Sequence, residues 1–122
     1  MADLVLDTGA FTQFYDLWGE DAGEIVREMI DMFLNEAPAM LAGMEHALEA
    51  ANARELRRLA HTLKSNAGTL GARRLYDACR QLEALAAEEN MDAAQQMYER
   101  VRLEYHAAEN ALREYMETLS GA

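Results

Sequence analysis

Proline and cysteine are almost missing from this sequence, with one of each among 122 residues, and lysine also occurs only once. The lone Cys79 excludes an intramolecular disulfide. The lone Pro38 leaves most of the chain free of backbone breaks. Val, Ile and Thr together supply ten residues against 23 Ala and 16 Leu, so a strand-rich fold is excluded in favour of helices. Basic residues are scarce: 11 Lys and Arg face 22 Asp and Glu, a formal charge of −11. That balance excludes nucleic acid or an anionic membrane as the main partner, since both attract basic surfaces. No apolar run approaches the roughly 18 residues of a membrane span. No charged start followed by an apolar stretch opens the chain, so export is unsupported and a cytoplasmic location is expected. A Gly-rich phosphate loop and any other nucleotide-binding motif are likewise missing, so no autophosphorylation from ATP is expected.

What is present is helical periodicity. Residues 3 to 8 form an extended lead-in ending in a capping residue, and a short helix α1 is predicted over about 9 to 18. GEDAG breaks it. A long α2 follows from about 21 to 50, with Ile25, Met29, Phe33, Ala37, Met40, Leu41, Met44 and Leu48 on its apolar phase and Pro38 expected to kink or split it. Helix α3 is predicted over 52 to 69, with Asn52 as N-cap and Leu70-Gly71 as its end. Helix α4 carries Leu75, Cys79, Leu82 and Ala86 to about 88. Asn90 and Asp92 mark a restart into α5, which reaches about 119 through Met97, Val101, Tyr105, Leu112 and Tyr115. The fold class is therefore all-α: residues 21–119 as an antiparallel up-down-up-down four-helix bundle, residues 1–20 as lead-in plus a short helix covering one end or side, and 1–122 as one domain. The methionines at 29, 32, 40 and 44, and Cys79, are expected in the core.

Helix α3 carries the chemistry. With His61 at zero and about 100° per residue, Leu56, Leu59, Ala60, Leu63, Ala67 and Leu70 cluster on the opposite side as the buried stripe. Around His61 lie Arg54, Arg57, Arg58, Lys64, Ser65 and Gly68, a ridge of cations centred on an imidazole. Residues 54 to 80 hold seven of the basic residues and only Glu55 and Asp77 as acids, a local +5 in an acidic protein. An exposed imidazole near its reference pKa is largely neutral at pH 7 and keeps a lone pair for attack on phosphorus. A phosphorylated ring would carry about two negative charges. Lys64, one turn away on the same face, would offset them by about 1 kcal/mol in water-like surroundings. Gly68 costs its helix about 1 kcal/mol relative to Ala, which calls for a reason.

Residues 60–71, AHTLKSNAGTLG, followed by Leu75, Cys79, Leu82 and Glu83, closely resemble the signature of histidine phosphotransfer (HPt) domains. FLNEAPAML before it and the LxxxCxxLE run after it also resemble the family's flanking helices, so the likeness covers about residues 20–119. It implies that His61 is the phosphoacceptor, that Lys64 orients or neutralises the phosphoryl group, that the small positions Ser65 and Gly68 admit a receiver domain, and that Gly71 ends α3. Ser65 stands where Gly is frequent and Gly68 where Ala is frequent; both remain small. Arg54, Arg57 and Arg58 are candidates for partner docking or electrostatic guidance. The resemblance also implies an apolar docking patch beside the histidine, for which Phe11, Phe14 and Leu17 are candidates that serve equally well as core.

The implied function is a phosphoryl carrier, a protein substrate more than an enzyme, passing the group on His61 between response-regulator receiver aspartates, with a hybrid histidine kinase upstream. No bound cofactor and no metal are expected; Mg²⁺ would sit in the partner receiver. The acidic remainder of the surface is expected to keep the protein a soluble monomer. An initiating Met fits a free-standing protein, while a piece of a hybrid kinase would look similar. Two other classes stand beside this one. A carboxylate-bridged metal bundle needs Glu-x-x-His pairs, and none of His46, His61 or His106 has a Glu three residues before it. His46 and His106 are read as surface or boundary residues. A structural or adaptor bundle without phosphotransfer activity would not need His61 and Lys64 together.

Overall fold

The computed structural model describes residues 4–120; the first residue of the predicted lead-in, position 3, lies outside them. Five α-helices follow one another: α1 Thr12–Trp18, α2 Ala22–Glu49, α3 Ala53–Thr69, α4 Arg73–Ala87 and α5 Met91–Ser120. No strand occurs among the described residues. The predicted α1 is shorter than expected, because its first turn, Thr8–Phe11, is a 3-10 turn capped by Asp7, whose side chain accepts from the Gly9 N–H at 3.0 Å. GEDAG does break the chain: Gly19 takes a positive φ of 59°, which an L side chain avoids, and a second 3-10 turn, Gly19–Asp21, leads into α2. Asn52 caps α3 by accepting from the Glu55 N–H at 3.1 Å, and Asn90 accepts from Ala93 N–H at 3.3 Å at the start of α5.

Pro38 does not split α2, which runs unbroken through it. Its ring faces outward on the exposed side, where the lost N–H bond is tolerated. Each long helix packs against two others, α2 on α3 and α5, and α4 on α3 and α5, closing a four-helix ring around one continuous core. The core takes Met44, Leu56, Leu63, Leu75, Leu82, Val101 and Leu112 at their expected apolar phases, whereas at the start of α2 the buried positions are Val26 and Ile30, one residue on from the expected Ile25 and Met29, which are only partly buried. Cys79 is fully buried, as its phase required. Of the methionine stripe, Met44 is buried and Met29 and Met40 pack against the core. Met32 departs from the expectation and is 59% exposed.

Helix lengths place α1. At 1.5 Å per residue α2 and α5 run about 42 and 45 Å, against about 25 Å for α3 and 22 Å for α4, so the outer pair overshoots the α3–α4 hairpin. The lead-in and α1 fill the gap. Phe11 is buried and stacks on Tyr115 with ring centroids 4.9 Å apart, and the Asp7 N–H donates to the Gly71 carbonyl at 2.7 Å. Gly71 is required twice: its φ is +75°, and a Cβ there would sit 2.3 Å from the Asp7 carbonyl oxygen. Between α4 and α5, the buried Glu104 is gripped by Arg74 at 3.0 Å and Arg100 at 3.2 Å, which fixes the register of the two helices. No described helix is long and apolar enough to cross a membrane.

Candidate functional site

Helix α3 presents its apolar stripe inward without exception: Leu56, Leu59, Ala60, Leu63, Ala67 and Leu70 are buried. The opposite face follows from the same geometry, and the His61 side chain stands 60% exposed. Its ring is not alone. Glu83, on the neighbouring α4, places Oε2 2.8 Å from His61 Nδ1 and Oε1 2.7 Å from Lys64 Nζ. One carboxylate thus holds both residues that the sequence singled out. Burial to 18% exposure works to push the Glu83 carboxyl up, but hydrogen bonds from Lys64 and His61, and their charges, outweigh it and hold the group below its ordinary value. Glu83 is therefore an anion at neutral pH.

An ionised carboxylate only accepts hydrogen bonds, so His61 Nδ1 must carry the proton. In the neutral ring the lone pair then resides on Nε2, the nitrogen away from Glu83. The site fixes a tautomer as well as a position. Cys79 lies one turn before Glu83 on α4, with its thiol pushed up to about 12 by burial and by the Glu83 charge, against an opposing effect of Lys64. At neutral pH it is an inert thiol.

A model of the Hpt domain matches residues 28–121 of this sequence. The chain belongs to the Hpt domain family. Among relatives, the histidine-containing phosphotransfer protein 1 of Arabidopsis thaliana is 23% identical over 110 residues, covering 88% of this chain and 71% of that protein. The fold is shared with histidine-containing phosphotransfer protein B of Pseudomonas aeruginosa PAO1, with a TM-score of 0.83 at 20% identity over 96% of this chain and 98% of the other. A histidine-containing phosphotransfer protein from maize superposes with a TM-score of 0.80, again at 20% identity, over 96% and 86% of the two chains. Family membership makes the protein a phosphorelay component, a phosphoryl carrier of the kind that works with receiver domains and histidine kinases.

Within this Hpt domain the other expected positions fall unevenly. Arg54 and Arg57 are exposed and have no acidic partner among the described residues, whereas Arg58 is paired with Glu55. Ser65 is exposed beside His61. Gly68 is exposed too, but its smallness has a neighbour inside the chain: a Cβ there would lie 3.1 Å from the Tyr76 ring. Of the three aromatic and apolar docking candidates, Phe11 is buried in the core and Phe14 is partly buried against it, both under the overhanging ends of α2 and α5. Leu17 is 76% exposed. A shallow apolar cavity of about 160 Å³ lies instead between α2 and α3, lined by Met29, Met32, Phe33, Glu36, Asn66 and Leu70. His46 and His106 are exposed on α2 and α5, as surface residues, His106 lying 3.5 Å from Glu109. Among the described residues no three His, Cys, Asp or Glu side chains converge as metal ligands.

Glu83 is the residue that sequence reasoning left without a role. A signal existed: His61 and Glu83 each lie eleven residues from Ala72, at the centre of the α3–α4 turn, so an antiparallel hairpin brings them level.

Proposed function

We propose that His61 is the phosphoacceptor of this Hpt domain and carries the phosphoryl group between aspartates of response-regulator receivers. The observation that carries the reading is the exposed His61 ring whose Nδ1 is 2.8 Å from Glu83. Nε2 attacks the phosphorus of the receiver's aspartyl phosphate; the N–P bond forms, the P–O bond to the aspartate breaks, and the carboxylate leaves. No proton has to move, because Nδ1 keeps its hydrogen throughout. The product ring is a phosphoimidazolium, and its positive charge develops against the Glu83 carboxylate. Lys64 is poised on the same carboxylate and within one turn of His61, so it turns toward the phosphoryl oxygens as their charge arrives. Transfer to a second receiver reverses these steps.

The receiver supplies Mg²⁺ and the remaining catalytic groups, and this chain works without a bound cofactor as a single cytoplasmic domain and a monomer. A hybrid histidine kinase is the source of the phosphoryl group. The reading is tested by incubating the purified protein with a phosphorylated receiver. Acid-labile, alkali-stable phosphate should appear on wild type and not on His61→Gln. Equal labelling of the two proteins would end the assignment.

A further inference from the structure

Gly68 and Tyr76 repeat, two turns along the same ridge, the arrangement of His61 and Glu83. Each lies four residues from Ala72 and seven from its counterpart, about 10 Å further along the helix axes. At Gly68 a Cβ would meet Tyr76 Cδ2 at 3.1 Å and Cε2 at 3.4 Å, closer than side chains normally approach. The glycine lets the Tyr76 ring lie against the backbone of α3. That ring is 38% exposed and forms, with Gly68, Arg73 and Asp77, an open hollow of about 440 Å³. The charged members of the hollow are already engaged: Arg73 with Asp7 at 3.1 Å, and Asp77 with Arg80 at 2.7 Å and Gln81 at 2.9 Å. What the hollow offers a visitor is the aromatic ring.

We infer that Tyr76, seated by Gly68, is a specificity-determining contact for the receiver domain, taking an apolar side chain that flanks the receiver's phosphorylated aspartate. The inference rests on the phosphotransfer reading of His61 and deepens it. A receiver is the occupant because the hollow is continuous with the His61 face: a standard interface covers about 800 Å² per partner, a disc of about 16 Å radius, and a residue about 10 Å from its centre falls inside it. The two ends of the ridge also differ, with Arg54 and Arg57, unpaired among the described residues, beyond His61 on one side and the Tyr76 ring on the other. Those two ends fix how a receiver is turned about the aspartate–histidine axis.

Gly68 acts here through Tyr76 and makes no direct contact of its own, which a double-mutant cycle resolves. Transfer from a purified, phosphorylated receiver that charges the wild-type protein is measured for Gly68→Ala, Tyr76→Ala, Tyr76→Gln and the Gly68→Ala/Tyr76→Ala pair. Each rate is normalised to labelling by phosphoramidate, a small donor that needs no docking, with circular dichroism melts to verify folding. Tyr76→Ala and Tyr76→Gln should lower kcat/KM about tenfold, mostly through KM. Gly68→Ala should lower it several-fold alone and add nothing in the Tyr76→Ala background. Wild-type transfer by folded Tyr76 variants would overturn the inference, as would an equal Gly68→Ala penalty in both backgrounds. Phosphoramidate labelling of wild type that persists in His61→Gln would instead remove the underlying reading, and the inference with it.

Discussion

Replacing Glu83 by Gln keeps the shape of the side chain and removes its charge. The amide oxygen still accepts from His61 Nδ1, so the ring stays in place, but the phosphoimidazolium loses its counter-charge. The ring and carboxylate are in contact at 2.8 Å, with charge centres about 4 Å apart, where the Coulomb energy runs from about 1 kcal/mol in water to about 4 kcal/mol at an effective dielectric of 20. The His61 side chain is 60% exposed and Glu83 18%, which favours the lower part of that range. A loss of about 1.5 kcal/mol corresponds to roughly tenfold slower phosphorylation. Lys64, released from its 2.7 Å pairing, recovers part of this at the phosphoryl oxygens, so five- to tenfold is expected. The assay is the initial rate of His61 labelling by phosphoramidate near pH 7.5, repeated with a phosphorylated receiver. Glu83→Ala should be slower still, because it also frees the ring to change tautomer. If Glu83→Gln labels within twofold of wild type with both donors, the carboxylate has no part in the chemistry. Stability gives a second readout with a defined sign. The Glu83 carboxyl is held below its ordinary 4.5, so its stabilising effect is complete above about pH 4.5 and is lost as pH falls through the lower folded value. The stability gap between wild type and Glu83→Gln should be level around neutrality and shrink below about pH 4.5 in denaturant titrations.

Two further expectations concern neighbours of the site. Lys64→Ala should cost at most about 1 kcal/mol of stability, the scale of a partly exposed ion pair, while shortening the lifetime of phosphorylated His61 about fivefold; an unchanged lifetime, followed by loss of acid-labile phosphate, would remove the lysine's role. Gly71→Ala combines a positive φ with a 2.3 Å approach to the Asp7 carbonyl, so it should destabilise by about 3 kcal/mol and lower Tm by roughly 10 °C. A Tm within 2 °C of wild type by calorimetry would show that the lead-in is free to move away from the turn.

Much of this molecule was legible because helices translate sequence into direction. Leu56, Leu59, Ala60, Leu63 and Ala67 recur at intervals that can share one face only on a helix, and burying them dictates that His61 points outward. The same periodicity located α2 through α5, with bounds shifted by a residue or two from those observed. Pro38 does not split α2 because the penalty of an internal proline depends on the local backbone, and an outward-facing position absorbs it without ending the helix. Met32 was expected in the core and is exposed, and Phe11 and Phe14 stayed open between core and docking surface, because their fate depends on which helix overhangs which, a matter of packing between distant segments. The same holds for Glu83. Side-chain identity and phase in one helix determined the cationic ridge and its central imidazole; only the α3–α4 register decided that a carboxylate 22 residues away would orient that ring and that Gly68 would seat Tyr76. Local periodicity is written in the chain by covalent geometry, whereas contacts across helices exist only after the whole core has chosen how its faces interlock.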